Sequence, residues 1–167
     1  MAAPRSESLL RLAAELTQEV ARIDRTALEG AEAEQKLAID PPDRLTLYAA
    51  AAILETFYTG IEKALSRVAP TLNGGLPEGQ AWHRRLLENM SMPIPGVRPA
   101  VLAEQAARAL DPYLSFRHRF RNLYLFDLEA EPVRTLLAGL PRAWALARGS
   151  LVSFGEFLKR LAEETSA

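Results

Sequence analysis

The sequence contains no cysteine and only two histidines, so several kinds of chemistry are excluded at once. Without cysteine there are no disulfides, no thiolate metal ligands and no cysteine nucleophile. The histidines, His83 and His118, lie far apart in the sequence. Zinc sites draw on several histidine, cysteine or carboxylate ligands, so we expect neither a metal site nor a cofactor.

Long apolar runs are also missing. A membrane helix needs about 20 predominantly apolar residues, and the most apolar run here, which begins at Tyr48, stops at Glu55. The first residues lack the apolar centre of a signal peptide, because Arg11 interrupts their leucines. We therefore expect no membrane partner and a cytoplasmic location.

Lysine is scarce, since only Lys36, Lys63 and Lys159 contribute to the 20 basic residues. The formal net charge is -1, so no basic field over the whole molecule indicates nucleic acid as a partner. The remaining basic residues are arginines, whose planar guanidinium fits phosphates and carboxylates. A general arginine bias reflects composition alone, whereas a local cluster of arginines is a candidate site.

Apolar residues make up 49% of the chain and recur at helical spacing, without strand-like alternation. We predict an all-α fold: one domain over residues 1–167, built as an up-and-down bundle of four to five main helices. Proline and glycine positions place loops at 72–79 and 92–99. The predicted helices cover residues 1–32, 44–70, 82–90, 100–110, 111–124 and 131–163.

The segment 116–124, with the sequence FRHRFRNLY, concentrates the polar chemistry of the chain. On a helix, Arg117, Arg121 and Tyr124 share one face, and His118 and Asn122 lie on an adjacent face. One interpretation is a phosphate-binding site, with Arg117, Arg119 and Arg121 as its cations. The other is an ordinary helix whose arginines pair with acidic neighbours, namely Glu104, Glu129 or Glu131.

Three further residues are candidate neighbours of this segment. Glu55 and Glu62 lie seven residues apart on one face of the second predicted helix, so we expect them to pair with the arginines rather than to catalyse. His83 follows Trp82, and a single histidine beside a tryptophan is more often structural than functional. The alternative for His83 is a second basic contact near the site.

The chain resembles the HEPN superfamily, specifically the HepT-like toxins of prokaryotic toxin–antitoxin pairs. Their signature is arginine, four to six residues, then histidine, commonly followed by any residue and tyrosine. In this sequence Arg117 takes the arginine position, HRFR is the spacer and Tyr124 takes the tyrosine position, while Asn122 stands in place of the histidine. The order of features over residues 44–160, including LYAAAAILETFYTGIEKAL and PIPGVRP, is also similar.

The resemblance implies a HEPN-like helical bundle that forms a homodimer and cleaves RNA without a metal ion. The two copies of the signature would face each other across a cleft. It further implies a partner, a nucleotidyltransferase-type antitoxin that can transfer AMP onto the tyrosine, here Tyr124.

Asn122 is the point at which the sequence departs from the signature. An amide donates and accepts hydrogen bonds but does not exchange protons near neutral pH. His118 lies one helical turn earlier and can replace the missing histidine. The sequence thus leaves open a metal-independent endoribonuclease with Arg117, His118 and Asn122 as catalytic residues. It equally leaves open an impaired module that binds RNA, nucleotide or a protein partner, and a plain scaffold bundle.

Overall fold

The computed structural model describes residues 4–39 and 41–166, and it confirms the predicted all-α bundle. Within these ranges no strand forms, apart from an isolated bridge between Ile94 and Arg98. In the same part of the chain, no helix has an apolar stretch long enough to cross a membrane. The helices are α1 Pro4–Leu37, α2 Arg44–Leu72, α3 Trp82–Ser91, α4 Glu104–Phe120 and α5 Ala130–Glu164.

Long-range contacts show that the long helices run up and down. The start of α1 meets the end of α5, where the Ser6 hydroxyl donates to the Ala162 carbonyl at 3.0 Å. Further along, Asp24 of α1 accepts a 3.0 Å bond from Arg148 of α5. The end of α1 meets the start of α5 through a 3.0 Å bond from Arg134 to the Leu37 carbonyl. The two helices are therefore antiparallel along their whole length.

Helix α2 lies at the centre of the bundle, in contact with all four other helices. Leu54, Phe57 and Ile61 on α2 are completely buried. The Phe57 ring meets Tyr113 of α4 edge-on, at 5.2 Å between ring centroids. Because α2 touches every neighbour, side chains on its polar positions can reach α3 and α4 together.

The start of α2 follows from the residues that precede it. Asp43 has an extended backbone, and its carboxylate accepts a 2.8 Å hydrogen bond from the Thr46 N–H. This side-chain bond satisfies one of the free N–H groups of the first turn, which is how an N-cap stabilises a helix. The predicted start of the second helix is confirmed.

Helix α1 extends to Leu37, beyond the predicted end at residue 32. Glycine weakens a helix locally, but Gly30 lies where α1 packs against α5. A Cβ atom at this position would come within 2.4 Å of Leu140 Cδ2. Packing of α1 against α5 therefore requires a glycine at this position, and it stabilises the helix on to Leu37.

Helix α4 corrects the prediction of two helices that meet at Asp111 and Pro112. A single helix runs from Glu104 to Phe120 with Pro112 inside it. Its buried face continues across the proline, through Ala106, Leu110 and Tyr113. Burial of this stripe outweighs the local cost of a proline in a helix.

The predicted extension of this helix to Tyr124 is wrong, because α4 ends at Phe120. The Asn122 side chain donates a 2.7 Å hydrogen bond to the His118 carbonyl and so satisfies an acceptor of the last turn. The following chain is held by Arg44 of α2, which donates to the Leu125 and Phe126 carbonyls at 3.2 and 3.0 Å. Arg117 and Tyr124 therefore do not share a helix face.

Candidate functional site

Arg117 is the buried centre of a polar network between α4 and α2. Only 8% of its side chain is exposed. Its Nε donates to the Thr59 hydroxyl at 3.2 Å and lies 3.6 Å from Glu55 Oε1, while Nη2 lies 3.4 Å from Glu62 Oε1. A buried guanidinium requires compensating negative charge, and α2 supplies two carboxylates.

The expected pairing of Glu55 and Glu62 with the arginine segment is thus confirmed for Arg117. Glu55, Thr59 and Glu62 follow one another at spacings of four and three residues, which places them on one face of α2. Of the alternative acidic partners, Glu104 pairs with Arg108 and Glu131 pairs with Arg134.

His83 joins this network from α3. Its Nδ1 lies 2.5 Å from Glu62 Oε2 and 3.5 Å from Arg117 Nη1. The ring also packs on Trp82, at 3.8 Å between ring centroids. The sequence favours a structural role for His83, because the residue follows Trp82. Nothing near His83 in the sequence predicts a contact with Glu62 or Arg117. The structure places the imidazole in direct contact with both.

A groove of about 510 Å³ opens beside this network. Five of its nine lining residues carry a guanidinium or an imidazole, and none of the nine is acidic. Such a surface is suited to the phosphates of a nucleic acid. The lining residues are Gln80, Ala81, His83, Arg84, Leu114, Ser115, Arg117, His118 and Arg119.

The charges of this groove are not equally available to a ligand. Arg117 is compensated by α2, and Arg84 is paired with Asp111 at 2.5 Å. His118 and Arg119 are exposed, and neither has an ion-pair partner within residues 4–39 and 41–166. Among the arginines and histidines of the lining, these two side chains are the ones without an acidic partner in the described part of the chain.

The remaining residues of the predicted site lie outside the groove lining. Arg121 is exposed at the C-cap of α4, and Asn122 is occupied in capping the same helix end. Tyr124 lies further along with 73% of its surface exposed, stacked on Phe126 at 5.3 Å. The structure thus brings together Arg117, His118 and Arg119 from the predicted set.

Tyr58 is a buried neighbour of the network on α2. Burial, with a smaller contribution from the Glu62 carboxylate, raises the pKa of its phenol well above the ordinary value. Tyr58 is therefore a neutral phenol near pH 7 and does not serve as the base of this site. Within residues 4–39 and 41–166, no three histidine, aspartate or glutamate side chains are grouped so that they could hold a metal ion.

The described part of the chain is thus an all-α bundle in which a buried arginine, Arg117, and an exposed histidine, His118, lie side by side in the last turn of α4. The family model described as "HepT-like protein" matches residues 49–158. Because the match covers more than half of the chain, the chain belongs to the HepT-like family, whose proteins are toxin-like. Searches of curated proteins and of solved structures found no significant match.

Proposed function

We propose that this protein is the toxin component of a toxin–antitoxin pair and acts on RNA as a metal-independent endoribonuclease. The observation that carries the proposal is the groove in which His118 and Arg119 lie beside Arg117 without a carboxylate in the lining. Guanidinium groups attract the phosphates of RNA, and an imidazole exchanges protons near neutral pH. His118 then exchanges the proton, which the amide of Asn122 cannot do.

RNA carries its own nucleophile, which explains why few protein groups are needed. The 2′-oxygen attacks the adjacent phosphorus while the P–O5′ bond breaks, leaving a 2′,3′-cyclic phosphate and a 5′-hydroxyl. The proton of the 2′-hydroxyl passes to a base, and an acid gives a proton to O5′. His118 exchanges one of these protons, and guanidinium groups stabilise the charge on the phosphate.

The charge distribution assigns different tasks to the arginines. Arg117, with both α2 carboxylates nearby, forms the wall of the groove and contributes little net charge to it. Arg119 and Arg121 are exposed, and in this proposal they contact the RNA phosphates. Among these residues Arg119 is the main phosphate ligand, since it alone is both exposed and part of the groove lining.

The proposal includes two protein partners. A second copy of the chain completes a homodimer, which sedimentation would reveal as twice the 18.4 kDa mass of one chain. A nucleotidyltransferase-type antitoxin transfers AMP from ATP to the hydroxyl of Tyr124, with release of pyrophosphate. The exposure of Tyr124, at 73%, supports this step because the hydroxyl is accessible to another protein.

A second candidate function is binding without cleavage, to RNA, a nucleotide or a protein partner. Two observations favour it: Asn122 stands at the signature's histidine position, and the charge of Arg117 is compensated by Glu55 and Glu62. In that case the groove retains its phosphate contacts through Arg119, and His118 has no essential part.

The test uses purified protein and an end-labelled RNA, with the wild type compared to His118→Ala and Arg119→Ala. We expect cleavage by the wild type, and a rate reduced by about 10²- to 10⁴-fold in His118→Ala. Arg119→Ala weakens RNA binding. Arg160→Ala, a change to an exposed arginine at the far end of α5, leaves both properties unchanged.

Three results separate the alternatives. Fragments ending in a 2′,3′-cyclic phosphate, together with protection by a 2′-deoxy substitution at the cleavage site, support the ribonuclease. Intact RNA that binds in an Arg119-dependent manner supports the second candidate. If the wild type neither cuts nor binds RNA, both RNA functions are wrong, and binding to a nucleotide or a protein partner and the scaffold bundle are the interpretations left.

A further inference from the structure

Glu62 is the point at which three helices bring ionisable groups together. Its two carboxylate oxygens face different partners: Oε2 meets His83 of α3 at 2.5 Å, and Oε1 meets Arg117 of α4 at 3.4 Å. The Glu62 side chain is only 9% exposed, so this carboxylate is buried with both partners in place. An anion in that position holds the two basic groups in a fixed relation.

The contact with Glu62 determines which nitrogen of His83 is free. A carboxylate accepts hydrogen bonds, so the short contact requires Nδ1 to carry the hydrogen. In the neutral ring Nε2 then bears the lone pair. Trp82 packs against the ring at 3.8 Å and limits its rotation. The imidazole is thereby held in one tautomer and one orientation.

The same ring lines the groove that contains His118 and Arg119. Its side chain is 27% exposed, so a substrate in the groove can reach it. Two imidazoles in one groove correspond to the two proton transfers of RNA cleavage, one at the 2′-hydroxyl and one at O5′. His118 alone accounts for only one of them.

We propose that His83 is the general base of the reaction, oriented by Glu62, and that His118 is the general acid. This assignment rests on the proposed ribonuclease function. Nε2 of His83 takes the proton of the 2′-hydroxyl as the O2′–P bond forms. Protonated His118 gives its proton to O5′ as the P–O5′ bond breaks, so protons and bonds balance.

The division of roles follows from the carboxylate. A buried carboxylate behind an imidazole stabilises the imidazolium that forms when the ring accepts a proton, which is the arrangement of a general base and its orienting acid. His118 is exposed and has no carboxylate partner in the described part of the chain. The charged groups in contact with His83 are Glu62 of α2 and Arg117 of α4. Arg84, which is tied to Asp111, lines the same groove together with His118 and Arg119.

The deciding variant is His83→Asn, because the asparagine amide can occupy the Nδ1 position and keep the bond to Glu62 while nothing replaces Nε2. His118→Asn is the matched variant. We would measure single-turnover cleavage of RNA against pH, affinity for the 2′-deoxy analogue and thermal melting. We expect His83→Asn to lower the cleavage rate by about 10²- to 10⁴-fold, with little change in affinity or melting temperature.

The pH profile distinguishes the two roles. A general base must be unprotonated, so it produces the limb in which the rate rises with pH, whereas a general acid produces the limb in which the rate falls. His83→Asn should remove the rising limb and His118→Asn the falling limb. A His83→Asn protein that cuts RNA at the wild-type rate, or retains the rising limb, overturns the assignment and leaves the ribonuclease proposal intact. Wild-type protein that leaves RNA intact overturns both.

Glu62 is a positioning residue in this scheme, and Glu55 supplies its control. Glu62→Gln and Glu55→Gln each remove one carboxylate beside Arg117, but only Glu62 contacts His83. We expect Glu62→Gln to lower the rate about tenfold or more and to change the rising limb, and Glu55→Gln to leave that limb unchanged. Equal pH profiles for the two variants would show that Glu62 acts only through Arg117.

Discussion

Arg117 carries a positive charge at a position where 8% of its side chain is exposed. Removing a charge of this kind from water is costly, and the cost is recovered only if nearby anions and hydrogen bonds compensate it. Glu55, Thr59 and Glu62 provide that compensation from a single face of α2. The contact couples the end of α4 to the centre of the bundle.

Substitution of Arg117 therefore affects stability as well as function. Arg117→Ala leaves the buried Glu62 with only His83 as its partner, and we expect the free energy of unfolding to fall by about 3 kcal/mol. Arg119→Ala, an exposed neighbour, should change it by less than about 0.5 kcal/mol. Urea denaturation of the two variants measures the difference, and equal stabilities would contradict the importance of the Arg117 network.

Asn122 has a local task that explains an amide at this position. Its Nδ2 donates at 2.7 Å to the backbone carbonyl of His118, the residue whose side chain we assign to proton transfer. Asn122→Ala should lower the free energy of unfolding by about 0.5 kcal/mol, since one solvent-exposed hydrogen bond is lost. RNA cleavage should stay at the wild-type rate. A loss of cleavage comparable to that of His118→Ala would instead place Asn122 in the reaction.

At the scale of elements, the start of α2 depends on the charge of Asp43. Hydrogen bonds from the Thr46 backbone N–H and then from its hydroxyl lower the pKa of this carboxylate below the ordinary value of 3.8. Because the folded pKa is the lower one, this stabilisation is present above the unfolded pKa. It is lost as the pH falls through the folded pKa.

Asp43→Ala should therefore lower the melting temperature at pH 7, and the difference from the wild type should shrink as the pH falls below about 4. Asp43→Asn is the control, because asparagine also caps helices but does not titrate. Thermal melting at several pH values gives the comparison. If the difference in melting temperature between the wild type and Asp43→Ala is the same at the lowest pH, the charge of Asp43 is not its cause.

Two helical glycines show how packing between elements reverses a local preference. A Cβ atom at Gly149 of α5 would meet nothing within 4 Å, so Gly149→Ala should raise the free energy of unfolding by about 0.5 to 1 kcal/mol. A Cβ atom at Gly30 of α1 would lie 2.4 Å from Leu140 Cδ2. Gly30→Ala should lower stability, since the contact between α1 and α5 must open. An equal rise in the free energy of unfolding for both substitutions would show that α5 can move away from α1 at Gly30 without loss of stability.

For the whole molecule, the formal charge of -1 provides no general attraction to RNA. Binding must come from the groove and the exposed arginines next to it, so we expect few phosphate contacts. The logarithm of the binding constant should fall with the logarithm of salt concentration, and Arg119→Ala should reduce the slope by about one. Fluorescence anisotropy of labelled RNA across a salt series measures this slope, with Arg160→Ala as the control. A slope unaffected by Arg119→Ala would place the RNA away from this groove.

Much of the bundle follows from local signals that act within a few residues. Asp43 begins α2 because a carboxylate can reach the N–H groups of the next turn, and the prolines at 93, 95 and 99 end helical structure after α3. The path of the chain after α4 does not follow from such signals, because Arg44 holds the Leu125 and Phe126 carbonyls from about 80 residues away in the sequence. Helix periodicity alone gives no information on that contact.

From the amino-acid sequence alone came the all-α class, the second helix, the pairing of Glu55 and Glu62 with an arginine, and the segment in which Arg117, His118 and Arg119 lie. The packing of the helices was needed to show that α2 is central, that Arg117 points inward while His118 and Arg119 face a groove, and that His83 joins Glu62 there. Glu62, His83 and Arg117 come from three helices, and their distances depend on how α2, α3 and α4 pack. Helical spacing predicts neighbours three and four residues apart, whereas contacts between helices arise from the burial of their apolar faces together.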